Sequence, residues 1–116
     1  MFKLTDFIAY LETTDESEWA VGVVREPGNI KNCMFGHLVN FYYGKDYEGN
    51  INGIWDMFEE CYATTYMIYP VNDGENPRYI QPTAKARVIA YLKNLDNRLE
   101  PSTQELWNRH AESIKN

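Results

Sequence analysis

The sequence predicts a mainly α fold: one compact domain of about five helices, with one short β-hairpin as its only sheet element. Three observations carry this. Apolar residues recur at helical spacing in several separate stretches, and caps and turn formers punctuate the gaps between them. A chain of 116 residues with 44% hydrophobic side chains also buries enough surface for one core without staples. Aromatic residues make up 15%, including nine tyrosines and three tryptophans. That content argues against disorder, and such rings also bring large, rigid contact area to interfaces.

In residues 2–13, Leu4, Phe7, Ile8 and Leu11 fall at i, i+3, i+4 and i+7 and form one apolar face. Thr13-Thr14-Asp15-Glu16-Ser17 ends that helix with residues suited to turns and caps. Trp19-Ala20-Val21-Gly22-Val23-Val24 is short and partly β-branched. It reads as one strand or an extended segment, and if it pairs, Met67-Ile68-Tyr69-Pro70-Val71 is the best available partner. Between them, Arg25-Glu26-Pro27-Gly28-Asn29 reads as a turn, proline at i+1 and glycine at i+2.

The central helix is placed at 33–43, with Asn32 as its N-cap. It is apolar nearly all round, which implies burial between neighbours. Gly36 inside it implies close approach of another backbone or of a bulky ring, Trp19 first. Gly44 stops it. A third helix spans 51–65 on Ile51, Ile54, Trp55, Phe58 and Tyr62, its outer side carrying Asp56, Glu59 and Glu60. After the turn-rich 71–77, Pro82 opens a helix over 82–97, with Ala84, Val88, Tyr91, Leu92, Leu95 and Leu99 as its stripe. The pattern Ser102-Thr103-Gln104-Glu105 is a capping box for a fifth helix at 101–115, with Leu106, Trp107, Ala111 and Ile114 inward.

Charge is uneven. Residues 1–77 hold four basic and thirteen acidic side chains, a balance of −9, and residues 78–116 hold seven and four, a balance of +3. Phosphate neutralisation needs basic residues, so direct nucleic-acid binding by the first part is disfavoured. An acidic face suits a basic partner and speeds encounter with it. The first residues contain an acid and no apolar leader, and no apolar run approaches the ~20 residues of a membrane span. The expectation is a cytoplasmic protein with two free thiols, Cys33 and Cys61, a single bridge between them being the alternative that parity allows.

Four constellations could carry chemistry. Cys33 at a helix start with His37 one turn on is the geometry that lowers a thiol pKa, although a histidine on the same helix is poorly aimed as a base; His110 is the other available base. A buried cysteine beside a core histidine accounts for the same residues. The soft ligands Cys33, His37, Cys61 and His110 show no metal-site spacing, so no metal or cofactor is expected. The carboxylates Asp56, Glu59 and Glu60 on one helix, and Asp15, Glu16 and Glu18 in one turn, read as solvated faces rather than as an acid–base pair across a cleft. Asn72-Asp73-Gly74 reads as a turn. No phosphate loop, dinucleotide fingerprint, nucleophile elbow or zinc-protease motif occurs.

One further pattern runs through the chain: Trp19-x-x-Gly22, Cys33-x-x-Gly36 opening a helix, Asn72-Asp73, then Thr83 leading into Val88-Ile89-Ala90-Tyr91-Leu92. Over about residues 4–95 this resembles an uncharacterised family of small bacterial and bacteriophage proteins. The chain departs from it at Met34-Phe35, where Ala-Leu is usual, and at His37, where a small residue is usual. The resemblance implies a small helical fold and a mobile-element setting, and it carries over no activity.

Together these features point to an acidic, non-enzymatic interaction protein of inhibitor or immunity (anti-defence) type, docking a basic surface of a protein partner. Asp56, Glu59, Glu60, Asp15, Glu16 and Glu18 are the expected contacts, with Tyr42, Tyr43 and Tyr47 as aromatic anchors. The alternative is a small cysteine-dependent enzyme with Cys33 as nucleophile and His37 or His110 as base.

Overall fold

Helix α1, Leu4–Thr13, buries Leu4, Phe7, Ile8 and Leu11, the four residues whose spacing predicts it. The computed structural model describes residues 3–62, 65–97, 105–106 and 108–109, and of these the side chains at 29, 60–62 and 65–67 stay outside the description. Within it the chain is helical: α2 is Met34–Tyr43, α3 Asn52–Tyr62, α4 Thr65–Asp73 and α5 Ala84–Asn97. Helix α5 packs against both α1 and α4, and α1 also meets α2. Of the expected fifth helix at 101–115, residues 105, 106, 108 and 109 are described and are helical, and Leu106 packs on the core.

Helix α2 runs through the middle. Every residue from Met34 to Asn40 is buried, as its all-round apolarity requires. Phe35 is the hub of an aromatic cluster: it stacks on Trp55 with ring centroids 4.4 Å apart and 17° between planes. Phe58 meets it edge-on at 5.7 Å and Tyr69 tilts against it at 5.8 Å. Such pairs add about 0.5–1.5 kcal/mol each beyond area burial.

The expected hairpin does not form. Residues 67–71 lie in α4, because Ile68, Val71 and Asn72, spaced i, i+3 and i+4, are all fully buried, whereas a strand would bury alternate residues. Pro70 removes one helical N–H from α4, yet its carbonyl accepts from the N–H of Glu75 at 2.8 Å while Gly74 N–H bonds the Val71 carbonyl. With Gly74 at φ 82°, this is a Schellman ending. Asn72 and Asp73 therefore sit in the last turn of a helix rather than in a loop.

The chain between α1 and α2 folds on itself instead. Residue Asn32 pairs in parallel with Trp19 and antiparallel with Arg25, so Ala20 N–H donates to the Asn32 carbonyl and Cys33 N–H to the Val24 carbonyl, both at 2.9 Å. The predicted turn is present, with Gly28 at φ 81° and Glu26 N–H bonded to the Lys31 carbonyl. Asn32 is not the cap of α2. Its side chain accepts from Arg25, and the extended residue before the helix is Cys33, whose own side chain makes no cap hydrogen bond. Helix α5 likewise starts two residues later than expected: Thr83 Oγ1 accepts from Ala86 N–H and Pro82 lies just outside.

Candidate functional site

The first-turn N–H groups of a helix need acceptors, and at α2 the acceptor comes from far along the chain. Asn72, fully buried at the end of α4, accepts from Met34 N–H through Oδ1 at 3.2 Å. Its Nδ2 donates to the Ala20 carbonyl at 2.8 Å and to Asp73 Oδ1 at 3.1 Å. Asp73 Oδ1 in turn accepts from Gly22 N–H. Arg87 of α5 fixes this corner from behind, donating to the carbonyls of Val71, Asn72 and Gln81 at 2.9–3.0 Å. The motif residues Trp19, Gly22, Cys33, Gly36, Asn72 and Asp73 thus belong to one region, around the N-terminal half of α2.

Gly36 is explained here, though not by Trp19. A Cβ on it would lie 2.5 Å from the Val24 carbonyl and 2.5 Å from Asn32 Oδ1, so another backbone stretch is what approaches. Trp19 packs on His37 instead, centroids 4.4 Å apart, and its indole N–H donates to Thr14 Oγ1.

The Cys33–His37 pair has the electrostatics of a core. Cys33 is 1% and His37 2% exposed. Burial pushes the Cys33 thiol up, outweighing the helix N–H groups that favour the thiolate. Burial also pushes His37 down to about 4, with Lys45 and Arg25 adding to the effect. A catalytic pair needs the reverse of both shifts. His37 Nε2–H donates to the Glu18 carbonyl at 3.1 Å, and its Nδ1 is buried without a hydrogen-bond partner, so the ring makes no hydrogen bond to the Cys33 thiol. Tyr69, pushed up to about 12 by burial and by the nearby Cys33 and Asp73, is no better suited to deprotonate a thiol. His110 and the Cys61 side chain lie outside the described residues. The geometry gives the enzyme reading no support.

The predicted contact residues fall in three places. Asp15 and Glu16 are exposed and Glu18 half-buried at the 3₁₀ turn Glu16–Glu18, where Asp15 accepts from Ser17 N–H and that bond holds its carboxyl below the ordinary range. Asp56 is exposed and Glu59 half-buried on α3; the Glu60 side chain lies outside the described residues. The tyrosines come together. Tyr43 stacks on Tyr47 at 4.2 Å and 12°, and Tyr42 meets Tyr43 edge-on at 4.9 Å.

Tyr47 borders a cleft of about 560 Å³ shared with Glu26, Lys45, Asp46 and Glu48. Arg25 sets the geometry of this cleft. Its guanidinium donates to Asn32 Oδ1 at 3.0 Å, to Asn40 Oδ1 at 2.8 Å and to the Tyr47 carbonyl at 3.3 Å, tying both loops to α2. Sequence reasoning missed Arg25, Glu26, Asp46 and Glu48. The available signal was one arginine in an acidic stretch, next to a turn.

No protein-family model matches the chain, and no curated protein or solved structure is significantly similar to it. Its function must be argued from these residues. Among the described residues no group of three His, Cys, Asp or Glu is placed to hold a metal ion, and no helix is long and apolar enough to cross a membrane.

Proposed function

We propose that this is an acidic, non-enzymatic interaction protein of inhibitor or immunity type, which docks a basic surface of a protein partner. The observation that supports it most is the tyrosine stack: Tyr42, Tyr43 and Tyr47 are pre-packed, half-buried and flanked by the exposed Asp46 and Glu48. Rigid aromatics that lose little freedom on binding are what interface anchors need, and around the Tyr47 cleft the acids Glu26, Asp46 and Glu48 outnumber Arg25 and Lys45. The neighbouring loop leaves Val21, Val23 and Ile30 exposed, apolar area that fits a contact surface. The acidic excess over residues 1–77 supplies long-range attraction, and the sites on α3 and at Asp15, Glu16 and Glu18 extend it.

The test is capture of the partner by tagged protein from its native host across a salt series. Capture at low salt that declines steeply as salt rises is expected. Charge reversal at Asp46 and Glu48 should reduce it more than reversal at Asp56 and Glu59. Capture that is absent, or indifferent to salt, sinks the electrostatic reading.

A further inference from the structure

The sequence contains a single Asn-Gly step, Asn52-Gly53, and a single Asp-Gly step, Asp73-Gly74. At such steps a chain can react with itself. The backbone nitrogen of the glycine attacks the side-chain carbonyl carbon of the residue before it and closes a five-membered imide. Glycine leaves that nitrogen unshielded and its backbone free to turn. Attack requires an N–H that is not held in a hydrogen bond and a side chain free to rotate towards it.

The fold withholds both from Asp73-Gly74. Gly74 N–H donates to the Val71 carbonyl, and Asp73 Oδ1 accepts from Gly22 N–H and from Asn72 Nδ2. A Cβ on Gly74 would lie 3.3 Å from the Arg87 guanidinium carbon, so the surroundings are filled as well. Asn52 and Gly53 are both exposed, in the first turn of α3, where N–H groups have no intrahelical acceptor. The backbone bond that enters α3 is Trp55 N–H to the Ile51 carbonyl, at 3.2 Å. Gly53 N–H comes before it and has no acceptor among the described residues. The chain is pinned up to this point: Asn50 Oδ1 accepts from Asn52 N–H, and the Tyr47 hydroxyl donates to the Asn50 carbonyl. Rotation about the Asn52 Cα–C bond, which brings the Gly53 nitrogen to Asn52 Cγ, leaves these bonds in place and breaks the one from Trp55 to Ile51.

We propose that Asn52 is a site of self-modification by deamidation. The Gly53 nitrogen gives its proton to solvent and bonds to Asn52 Cγ. The Cγ–Nδ2 bond breaks, and ammonia leaves with a proton returned by solvent. Water then opens the imide at either carbonyl, leaving an aspartate or an isoaspartate at that position. Either product makes the chain one charge more negative than −6. The isoaspartate also routes the backbone through an extra methylene, at the helix start that carries Ile54, 1% exposed, and Trp55, stacked on Phe35.

Incubation of the whole chain at mildly alkaline pH, native and in urea, followed by peptide mass mapping, tests this. Conversion is expected at Asn52 before any other asparagine, with both products present and a rate that rises with pH. Opening the helix start costs about one net hydrogen bond, so the native rate should stay within about tenfold of the rate in urea. Gly53→Ala shields the nitrogen with a methyl group and suits a helix, so the fold is kept and conversion slows severalfold. The isoaspartate fraction, separated by ion exchange, should unfold at a lower urea midpoint than the unconverted chain. A native rate more than about tenfold below the rate in urea means that the helix protects Asn52 and overturns the proposal. Earlier conversion at another asparagine, or isomerisation at Asp73 as fast as conversion at Asn52, overturns it equally.

Discussion

His37 is held neutral in the fold, with its pKa down at about 4, while the unfolded chain takes up that proton near 6.5. Between those values the unfolded state binds more protons. Stability therefore rises with pH across the window and is lost as pH falls from 6.5 toward 4, by at most about 3 kcal/mol. Urea unfolding of wild type and His37→Gln across that window checks it, the variant showing the shallower slope; equal slopes would remove the claim. Cys33, 1% exposed, is expected to react with a thiol reagent in a Cys61→Ser background only as fast as the protein opens, and at once in urea. Rapid labelling of the native protein would contradict its burial. For Gly36→Ala, the Val24 carbonyl 2.5 Å from the new Cβ is backbone and cannot swing aside. The expected loss is about 1–3 kcal/mol, measured as a lowered urea midpoint. The sequence showed that something approaches Gly36. Which neighbour it is depends on where the loop 20–31 folds back, and no local pattern encodes that.

At the scale of elements, helices α1, α3 and α5 are legible because each buries a stripe at helical spacing, and α2 because its run is apolar nearly all round. Helix α4 is not. It is nine residues long with a proline inside, and a short apolar run of that kind is ambiguous between strand and helix. Only the burial of Asn72 beside Ile68 and Val71 decides it. The local chemistry of the same asparagine favours a turn, while the Met34 N–H and the Ala20 carbonyl that it bonds lie 38 and 52 residues away. Asn72→Ala leaves the Met34 N–H and the Ala20 carbonyl without partners in a buried corner. At ~1–3 kcal/mol for each such group, a loss of about 2–4 kcal/mol is expected in urea unfolding. Hydrogen exchange should quicken first at the start of α2. Protection there that matches wild type would show that Asn72 is not the cap.

For the whole molecule, charge was legible and its arrangement was not. The acidic excess can be counted in the sequence, but the grouping of Asp46 and Glu48 with the tyrosine stack depends on Arg25 reaching three partners, one in α2 and one on either side of it. The ion pair Lys93–Glu12 spans 3.4 Å with both side chains more than half exposed, and such pairs contribute little. Self-repulsion within residues 1–77 is the larger electrostatic effect. Moderate salt is therefore expected to raise the Tm slightly by screening it, and a Tm that falls with salt would mean that attraction dominates.

The remote cap on α2 has a consequence for how the protein is made. A nascent chain that has just emerged as far as Met34 has no acceptor for the first turn of its most apolar helix. The side chain that provides one follows 38 residues later. At ~5–20 residues per second of synthesis, α2 waits about 2–8 s with its apolar surface open before Asn72 can close it. Ribosome-arrested chains ending before and after residue 72 should differ sharply in protease resistance over α2.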